Sequence, residues 1–383
     1  MKKYISILGL FSAILLLLSL SLFFGCLNPF SNDNISITIN IGAGGMSGNA
    51  ASAARAGAWP PQNHGIFDQL EHRISLTGPG SPVNETIKGQ SSATISLDRP
   101  GSWNVTIETY LEGLLYAKGN GSVNAKAGQP NQVPVNMSQS DIMFFIVRNA
   151  ADWETARSTI DSPGKYAIIV AQDFGFDASP SDSTFVSTNI EVDIRGNHTI
   201  SMVSGTGNLL RIGNGQIINI HDIKLKGHDD NNASLVYVDG GGTLNMHGSA
   251  AIHNNTNQTT DGGGVYVGIG KFNMYGGSIY NNQAYDGGGV FVYYDSSTSY
   301  TGGEFRMTGG IVYGSDAPPG LANNAIRGAA LYAAGSIAEY GRINSIGLID
   351  PIGDIIPWPR DVANNFSTDA TFRVADGVLL GLP

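Results

Sequence analysis

A short alternation of apolar and polar residues is repeated between residues 235 and 313. Three copies begin with a triplet of the type Val-aromatic-Val, at residues 236–238, 265–267 and 290–292. The first two copies continue with Leu-Asn-Met-His and Phe-Asn-Met-Tyr, and then with a pair of asparagines. A repeat whose period falls between roughly 20 and 50 residues, as this one does, indicates a solenoid, a propeller or an array of small units.

Each copy contains three short runs with a period of two, separated by glycine or asparagine. This pattern predicts three β-strands per repeat and no helix. A propeller blade needs four strands in about 40 residues, whereas three strands in about 25 residues fit one coil of a right-handed parallel β-helix. The apolar positions of the repeat are expected to point inward; in the middle copy they are Val265, Val267, Phe272, Met274 and Ile279.

A helix pattern leads into the repeats. Residues 149–160 place Trp153, Ala156 and Ile160 on one stripe, which predicts an amphipathic helix with Asn149 as its N-cap. A strand stack leaves an unpaired apolar end, and such a helix would cover it.

The order of these elements resembles the pectin-lyase-like family. The helix is followed by strand patterns at residues 166–170, 190–194, 209–212 and 220–227. The resemblance implies a right-handed parallel β-helix over residues 141–342, with the helix as a short N-terminal cap. Residues 343–383 carry prolines and no repeat, so they are predicted to form a C-terminal cap or tail.

Residues 35–138 show a different all-β pattern. Residues 35–41 alternate without a break, and further short strand patterns follow, separated by Gly, Pro and Asn. Short strands at such intervals over about a hundred residues predict an immunoglobulin-like β-sandwich. Trp103, Val105 and Ile107 share one strand face, so Trp103 is expected in the core.

Residues 1–25 have the composition of an export signal. Lys2 and Lys3 precede an apolar run from Ile5 to Phe24, which is followed by Gly25 and by Cys26, the single cysteine of the chain. The segment around Cys26 resembles the lipidation box of spirochaete-like bacterial lipoproteins. The resemblance implies a lipid anchor on Cys26, with residues 26–34 as a tether and the outer membrane as the location; the alternative is an uncleaved membrane anchor.

Composition and charge narrow the possible partners. Of the 383 residues only 14% are charged, and 51 are glycine, which is typical of a turn-rich β-protein. Without the leader, 19 basic residues face 31 acidic ones, a net charge of −12. An acidic surface disfavours nucleic acid as a partner. A lone cysteine allows no intrachain disulfide, and no cofactor motif is present.

Two outer rows of the β-helix are candidate ligand-binding ladders. Because equivalent positions of successive coils lie above one another, one row is expected to contain aromatic residues: Tyr237, Tyr266, Phe291 and Tyr332. Such a row could bind sugar rings, or it could simply stabilise the stack. The second row is expected to be polar and to contain Lys226, His247, Tyr275 and Thr308. A companion row beside it would contain Lys224, Asn245, Asn273 and Arg306.

Catalytic and metal sites are poorly supported by the sequence. Hydrolysis of glycosides needs two close carboxylates, and lyases of this family need carboxylates around calcium. Near the second row only Asp222, Asp229 and Asp230 are available, and the last two favour a turn. Asp261 and Asp286, each before a triple glycine, are weak candidates for a shared calcium ion.

These observations predict an exported, membrane-tethered lipoprotein of the bacterial cell envelope. Its function would be adhesion or glycan binding through outer faces of the β-helix, without catalysis, with a glycan or a host or cell-surface protein as partner. Two alternatives stay open: a polysaccharide lyase or glycoside hydrolase on the same fold, and a purely structural surface protein.

Overall fold

The computed structural model describes residues 35–47, 66–177, 184–213, 215–295, 301–315, 317–333, 346–349, 355–356, 372–375 and 378–381. The predicted leader, Cys26 and the tether lie outside these residues. Among the described residues, no helix combines the length and apolar character needed to span a membrane. The chain divides into two compact units, Met1–Ser140 and Asp141–Pro383.

Seven strands lie in the described part of the first unit. They are β1 (Ile35–Ser47), β2 (Glu71–Thr77), β3 (Val83–Lys88), β4 (Ser92–Leu97), β5 (Gly101–Leu111), β6 (Leu114–Ala125) and β7 (Asn131–Gln139), with a 3-10 turn at Phe67–Gln69. Hydrogen bonds connect them in the order β3-β2-β5-β6-β7-β1-β4. All pairs are antiparallel except β1 with β7.

Alternation in the sequence explains the core of this unit. Ile37 and Ile39 in β1 are buried, and Trp103, Val105 and Ile107 are buried together on one face of β5, as predicted. The indole N–H of Trp103 donates to the carbonyl of Arg99 at 3.1 Å. The seven strands belong to one hydrogen-bonded sheet, so the immunoglobulin-like sandwich is not confirmed.

The second unit is a parallel β-solenoid of about six turns with one α-helix. It begins with β8 (Ile142–Val147) and α1 (Ala150–Thr159). The strands of the coils follow in chain order: β9 (Gly164–Val170), β10 (Phe174–Phe176), β11 (Ile190–Arg195), β12 (Thr199–Met202), β13 (Leu210–Ile212), β14 (Ile217–His221), β15 (Lys224–Lys226), β16 (Val236–Val238), β17 (Thr243–His247), β18 (Ala251–His253), β19 (Thr256–Asn257), β20 (Val265–Val267), β21 (Lys271–Met274), β22 (Ser278–Tyr280), β23 (Gln283–Ala284), β24 (Val290–Val292), β25 (Tyr294–Asp295), β26 (Thr301–Gly302), β27 (Glu304–Met307), β28 (Ile311–Val312) and β29 (Leu331–Ala333).

Three parallel sheets form the faces of the solenoid. Face A contains the first strand of each coil (β9, β11, β14, β17, β21, β27), face B the second (β10, β12, β15, β18, β22, β28), and face C the third (β13, β16, β20, β24, β29). Val265, Val267, Phe272, Met274 and Ile279 all belong to one buried cluster, as the alternation predicts. The prediction of a parallel β-solenoid with three strands per repeat is therefore confirmed.

The helix forms where the sequence predicts it. The side chain of Asn149 accepts a hydrogen bond from the backbone N–H of Asp152 at 2.9 Å, which satisfies one of the free donors of the first turn. Trp153, Ala156 and Ile160 join the same buried cluster as the coils. Trp153 packs against Phe174, Phe176 and Phe185 with ring centroids 5.8–6.2 Å apart.

Strands continue beyond residue 342, where the β-helix was predicted to end. They are β30 (Ile346–Ile349), β31 (Ile355–Ile356), β32 (Phe372–Ala375) and β33 (Val378–Gly381). Strand β30 pairs in parallel with β27 and so extends face A, whereas β32 pairs antiparallel with β28. The sequence did not predict this pairing, because these strands lack the repeat of the earlier coils. Backbone hydrogen bonds form between strands whether or not their side chains repeat.

The buried histidine of the first unit predicts a pH-dependent stability. His72 has no exposed surface, its Nδ1 lies 2.7 Å from the hydroxyl of Thr109, and burial lowers its pKa to about 4. Between pH 6.5 and 4 the unfolded chain binds a proton that the folded chain does not, so stability falls on acidification in this window and levels off below it. The loss attributable to His72 is expected to be about 3 kcal/mol.

The measurement compares the free energy of unfolding of the wild type and His72→Gln by chemical denaturation between pH 7 and pH 4. The variant is expected to have the shallower pH dependence. Equal slopes for the two proteins would show that His72 does not carry the effect.

Candidate functional site

A buried row of asparagines holds the coils together at one corner of the solenoid. Its members, Asn231, Asn255, Asn282 and Asn323, are at most 1% exposed. The amide of Asn231 donates to Asn255 Oδ1 at 2.8 Å, and the backbone N–H groups of Asn255 and Asn282 donate to the next asparagine at 3.2 and 2.8 Å. Each amide satisfies buried polar groups of an adjacent coil, so the row is structural.

Asn254 and Asn281, which precede Asn255 and Asn282 in the chain, form the turns at this corner. Asn254 and Asn281 adopt left-handed backbone angles, with φ of 58° and 52°. Asparagine tolerates this conformation better than most residues. The paired asparagines of the repeat are therefore turn residues, as the sequence indicates.

The aromatic ladder lies on the outer side of face C. Strand pairing places Tyr237, Tyr266, Phe291 and Tyr332 in one row. Their ring centroids are 4.9, 5.0 and 5.8 Å apart, with planes inclined by 7° to 24°. The predicted ladder is thus present as a continuous stack.

Both ends of this stack are covered by arginine. The guanidinium of Arg211 lies 4.8 Å from the ring centroid of Tyr237, and that of Arg327 lies 4.8 Å from that of Tyr332. Phe291 is only 2% exposed between its neighbours. Since sugar rings pack on the flat faces of aromatic rings, and here those faces contact other rings or guanidinium groups, the ladder's geometry favours stabilisation of the stack.

Face A carries two polar rows side by side. One contains Arg195, His221, His247 and Tyr275; the His221 and His247 rings stack with centroids 4.4 Å apart, and Tyr275 stacks on His247 at 4.7 Å. The other row contains Asp193, Asn219, Asn245, Asn273 and Arg306. We call these the histidine row and the asparagine row.

The predicted membership of the polar rows is wrong for two lysines. Lys224 and Lys226 lie on face B, where they pair with Ala251 and His253, and they are not in the rows of Asn245 and His247. The sequence Lys-Leu-Lys-Gly at positions 224–227 has the same alternation of polar and apolar residues as positions 245–248. The number of residues between these two segments is, however, smaller than the length of one coil. The true offset is set by strand pairing, which brings His221 beside His247.

Hydrogen bonds link the asparagine row along its length. The amide of Asn273 donates to Asn245 Oδ1 at 2.8 Å, and that of Asn245 to Asn219 Oδ1 at 2.7 Å. The amide of Asn219 lies 3.4 Å from Glu191 and 3.5 Å from Asp193. Side chains with both donors and acceptors are thus held at fixed positions on an outer face.

A cluster of ionisable groups begins both rows. His221 Nε2 lies 3.3 Å from an oxygen of Asp193 and 3.3 Å from a nitrogen of Arg195, and Arg195 contacts Asp193 at 3.0 Å. Burial raises the pKa of Asp193, but its contacts with His221 and Arg195 outweigh this effect and leave the pKa below its ordinary value. Burial, followed by the nearby charges of His221 and Arg195, lowers the pKa of His247.

Ion pairs flank the two rows. Lys165 lies 3.7 Å from Glu191 at one end, and Lys271 lies 3.4 Å from Glu304 at the other, where Arg306 also contacts Glu304. Positive and negative groups therefore alternate along face A, and the face has no strong charge of either sign.

The structure does not assemble a metal centre from the candidate carboxylates. Asp286 is buried and forms a two-point ion pair with Arg327, with Arg327 Nε 2.8 Å from Asp286 Oδ1. Burial, then the charge of Asp286, raises the pKa of Asp261. Asp222 accepts hydrogen bonds from Ser249 in a turn. Within the described ranges, no three His, Cys, Asp or Glu side chains group closely enough to hold a metal ion.

Sequence reasoning did not find Asp193, Arg195, His221 and Asn219. A signal was available at positions 217–221, Ile-Ile-Asn-Ile-His, because this segment repeats the Leu-Asn-Met-His pattern of the next coil. The ion-pair cluster itself depends on strand pairing between β11 and β14 and has no local sequence signal.

Comparison with known proteins gives no relative that could assign a role to this face. No protein-family model matches the chain, and no significant match exists among curated proteins or solved structures.

Replacing a ring in the aromatic ladder tests its role. Tyr266→Ala removes two stacked contacts and is expected to lower the free energy of unfolding by about 2 kcal/mol. Tyr266→Phe keeps both contacts and is expected to change stability by less than about 0.5 kcal/mol. Chemical denaturation of the three proteins measures the difference. If Tyr266→Ala were as stable as the wild type, the stack would not be a stabilising element.

Proposed function

We propose that this chain is a non-catalytic glycan-binding protein of the bacterial cell envelope, and that face A is its binding surface. The observation that carries the proposal is the pair of parallel polar rows. From Asp193 to Arg306 the asparagine row crosses five coils, a length of about 20 Å at the spacing of paired strands.

The chemistry of the rows fits sugar hydroxyl groups. Amides, imidazoles and guanidinium groups supply donors and acceptors in fixed directions, which is how polar groups in binding sites orient a ligand. Tyr275 ends the ring stack of the histidine row and is 49% exposed, so part of its ring is available to pack against a sugar. The near balance of charge favours a neutral or weakly charged glycan on this face.

A second candidate function is a glycoside hydrolase, and one observation favours it. Glu191 and Asp193 both lie within 3.5 Å of the same Asn219 amide nitrogen, so they are within about 7 Å of each other, a separation that glycosidases use. The lowered pKa of Asp193 suits a base or nucleophile. Glu191, however, is partly exposed and lies 3.7 Å from Lys165, whereas the general acid of a glycosidase lies in an apolar pocket. Binding without cleavage is therefore the proposal that we favour.

We also propose the finer features of the fold that the sequence indicates. Parallel strands joined by a crossover are almost always right-handed, which supports a right-handed β-helix of the pectin-lyase-like type. The packing of Trp153 against Phe174 and Phe176 supports helix α1 as a cap on the first coils. An immunoglobulin-like first unit and a lipid-anchored leader complete the proposal.

Binding is tested with the full-length chain in detergent on an array of neutral and charged glycans. Asn245→Ala interrupts the asparagine row and Tyr275→Ala removes the exposed ring, so each is expected to weaken binding at least tenfold. Asn84→Ala, an outward-facing asparagine of the first unit, is the matched control and should bind like the wild type. Thermal unfolding of each variant checks that the fold is intact.

The same samples are assayed for new reducing ends and unsaturated products. Cleavage that disappears in Asp193→Asn would replace the binding proposal with the hydrolase. If no glycan is bound or cleaved, the purely structural role of the solenoid stands.

The proposed anchor is tested by metabolic labelling with radioactive palmitate in a bacterium that processes lipoproteins. A thioether-linked diacylglycerol on the Cys26 sulfur and an amide-linked acyl chain on its amino group should label the wild type, whereas Cys26→Ser should carry no label. Equal labelling of Cys26→Ser would show that the chain is not anchored through this residue.

A further inference from the structure

Two lysines on face B differ from every other described lysine and arginine between residues 141 and 333. In the part of the chain that the structure describes, no carboxylate oxygen lies within 4 Å of the side-chain nitrogen of Lys224 or Lys226, and both residues are exposed. All other described lysines and arginines between residues 141 and 333 contact a carboxylate or an aromatic ring; they are Arg148, Arg157, Lys165, Arg195, Arg211, Lys271, Arg306 and Arg327. The lysine pair therefore lacks the close ion-pair or ring contact that the other described lysines and arginines of this stretch have.

Strand pairing fixes what surrounds the two lysines. In the preceding coil Thr199 lies beside Lys224 and Ser201 beside Lys226, and in the following coil Ala251 and His253 take these places. Lys224 and Lys226 are separated by one residue on the same strand, so their Cβ atoms are about 7 Å apart on the same side of the sheet. Two ammonium groups and two hydroxyl groups are thus placed side by side on one outer face, in adjacent positions of two coils.

The row of Lys226 also contains a glycine at its beginning. Gly175 pairs with Ser201, and the exposed side chain of Val203 lies over that position. At the other end His253 stacks on Tyr280 with centroids 4.8 Å apart. The ring of His253 is held by a contact of 2.6 Å between its Nδ1 and Asn254 Oδ1. The two exposed lysines therefore lie on face B between Val203 and the stacked rings of His253 and Tyr280.

Charged groups near the two lysines affect how available their ammonium groups are. Asp173 is the acidic group whose charge interacts with Lys224, and it is already engaged by the backbone N–H of Thr199 at 2.8 Å and by His198 at 3.1 Å. Its carboxylate contributes to the fold of the turn and leaves the two ammonium groups available.

We propose that Lys224, Lys226, Thr199 and Ser201 form a second binding site, which takes the anionic group of an acidic glycan. A carboxylate or sulfate oxygen would accept hydrogen bonds from the ammonium and hydroxyl groups. The proposal rests on the proposed function in one respect, that the ligand is a glycan. This site would prefer anionic ligands. Face A has no such preference, because its lysines and arginines are paired with carboxylates of the same face.

A glycan fits better than a nucleic acid because of the charge of the whole protein. The chain carries a formal net charge of −10, which opposes the dense phosphate charge of DNA or RNA. Two exposed lysines can still bind a sparsely charged polymer locally. Screening of exposed charges by salt predicts that this binding weakens as ionic strength rises.

The test uses the chain in detergent and measures binding to four polymers: a sparsely carboxylated polysaccharide (hyaluronate), a sparsely sulfated one (κ-carrageenan), neutral dextran and single-stranded DNA. The wild type is expected to bind one of the two acidic polysaccharides at about 50 mM salt and to lose at least tenfold in affinity at about 500 mM. The preferred polymer identifies carboxylate or sulfate as the recognised group. Lys224→Ala combined with Lys226→Ala should lower this affinity at least tenfold.

Lys118→Ala is the matched control, because Lys118 is an exposed lysine of the first unit that is already paired with Glu108 at 3.0 Å. It should bind acidic polymers like the wild type. Equal binding by the double lysine variant, equal binding of neutral dextran, or tighter binding of DNA would each overturn the proposal.

The outcome also separates this site from face A. If the double lysine variant loses acidic polymers while Asn245→Ala retains them, the lysine site stands by itself. If Asn245→Ala loses a neutral glycan while the double lysine variant changes nothing, the lysine site is wrong and the proposed function of face A stands.

Discussion

Register between coils is the constraint on which the second unit depends. Each strand pairs in parallel with the equivalent strand of the next coil, at a spacing of about 4.8 Å, so every side chain meets the residue at the same position one coil away. Apolar residues in such rows fill the interior. Polar residues must either satisfy one another or face water, and like charges must be kept apart or neutralised. The solenoid meets each of these demands with a different kind of row.

The asparagine corner shows the demand for hydrogen bonds most clearly. Asn282 is 1% exposed and its amide donates to the carbonyl of Ile252 at 3.1 Å and to Asn323 at 3.1 Å. A buried polar group without a partner costs about 1–3 kcal/mol. Because each asparagine satisfies groups in an adjacent coil, the row links successive turns and does more than end individual strands.

The outer rows differ in how much of their chemistry remains available. The aromatic ladder of face C uses its ring faces in stacking and closes both ends with arginine. Face A uses part of its hydrogen-bonding capacity along the row and presents the rest outward. Lys224 and Lys226 on face B have no carboxylate partner among the described residues. The three faces therefore differ in how many side-chain groups are free to contact a ligand. For this reason we propose glycan binding on face A and recognition of an anionic group on face B, whereas the ladder of face C is structural.

The sequence by itself determined the repeat, the three strands of each coil, the inward residues and the single helix with its Asn149 cap. These features depend on local periodicity and on side chains adjacent in the chain, such as Trp153 and Ala156 on one helix stripe. Only the tertiary structure decided which residues share a row. Lys224 and Lys226 match the alternation of Asn245 and His247, but strand pairing assigns those places to Asn219 and His221. The contact of Asp193 with His221 of the next coil has no local pattern, because strand pairing alone creates it.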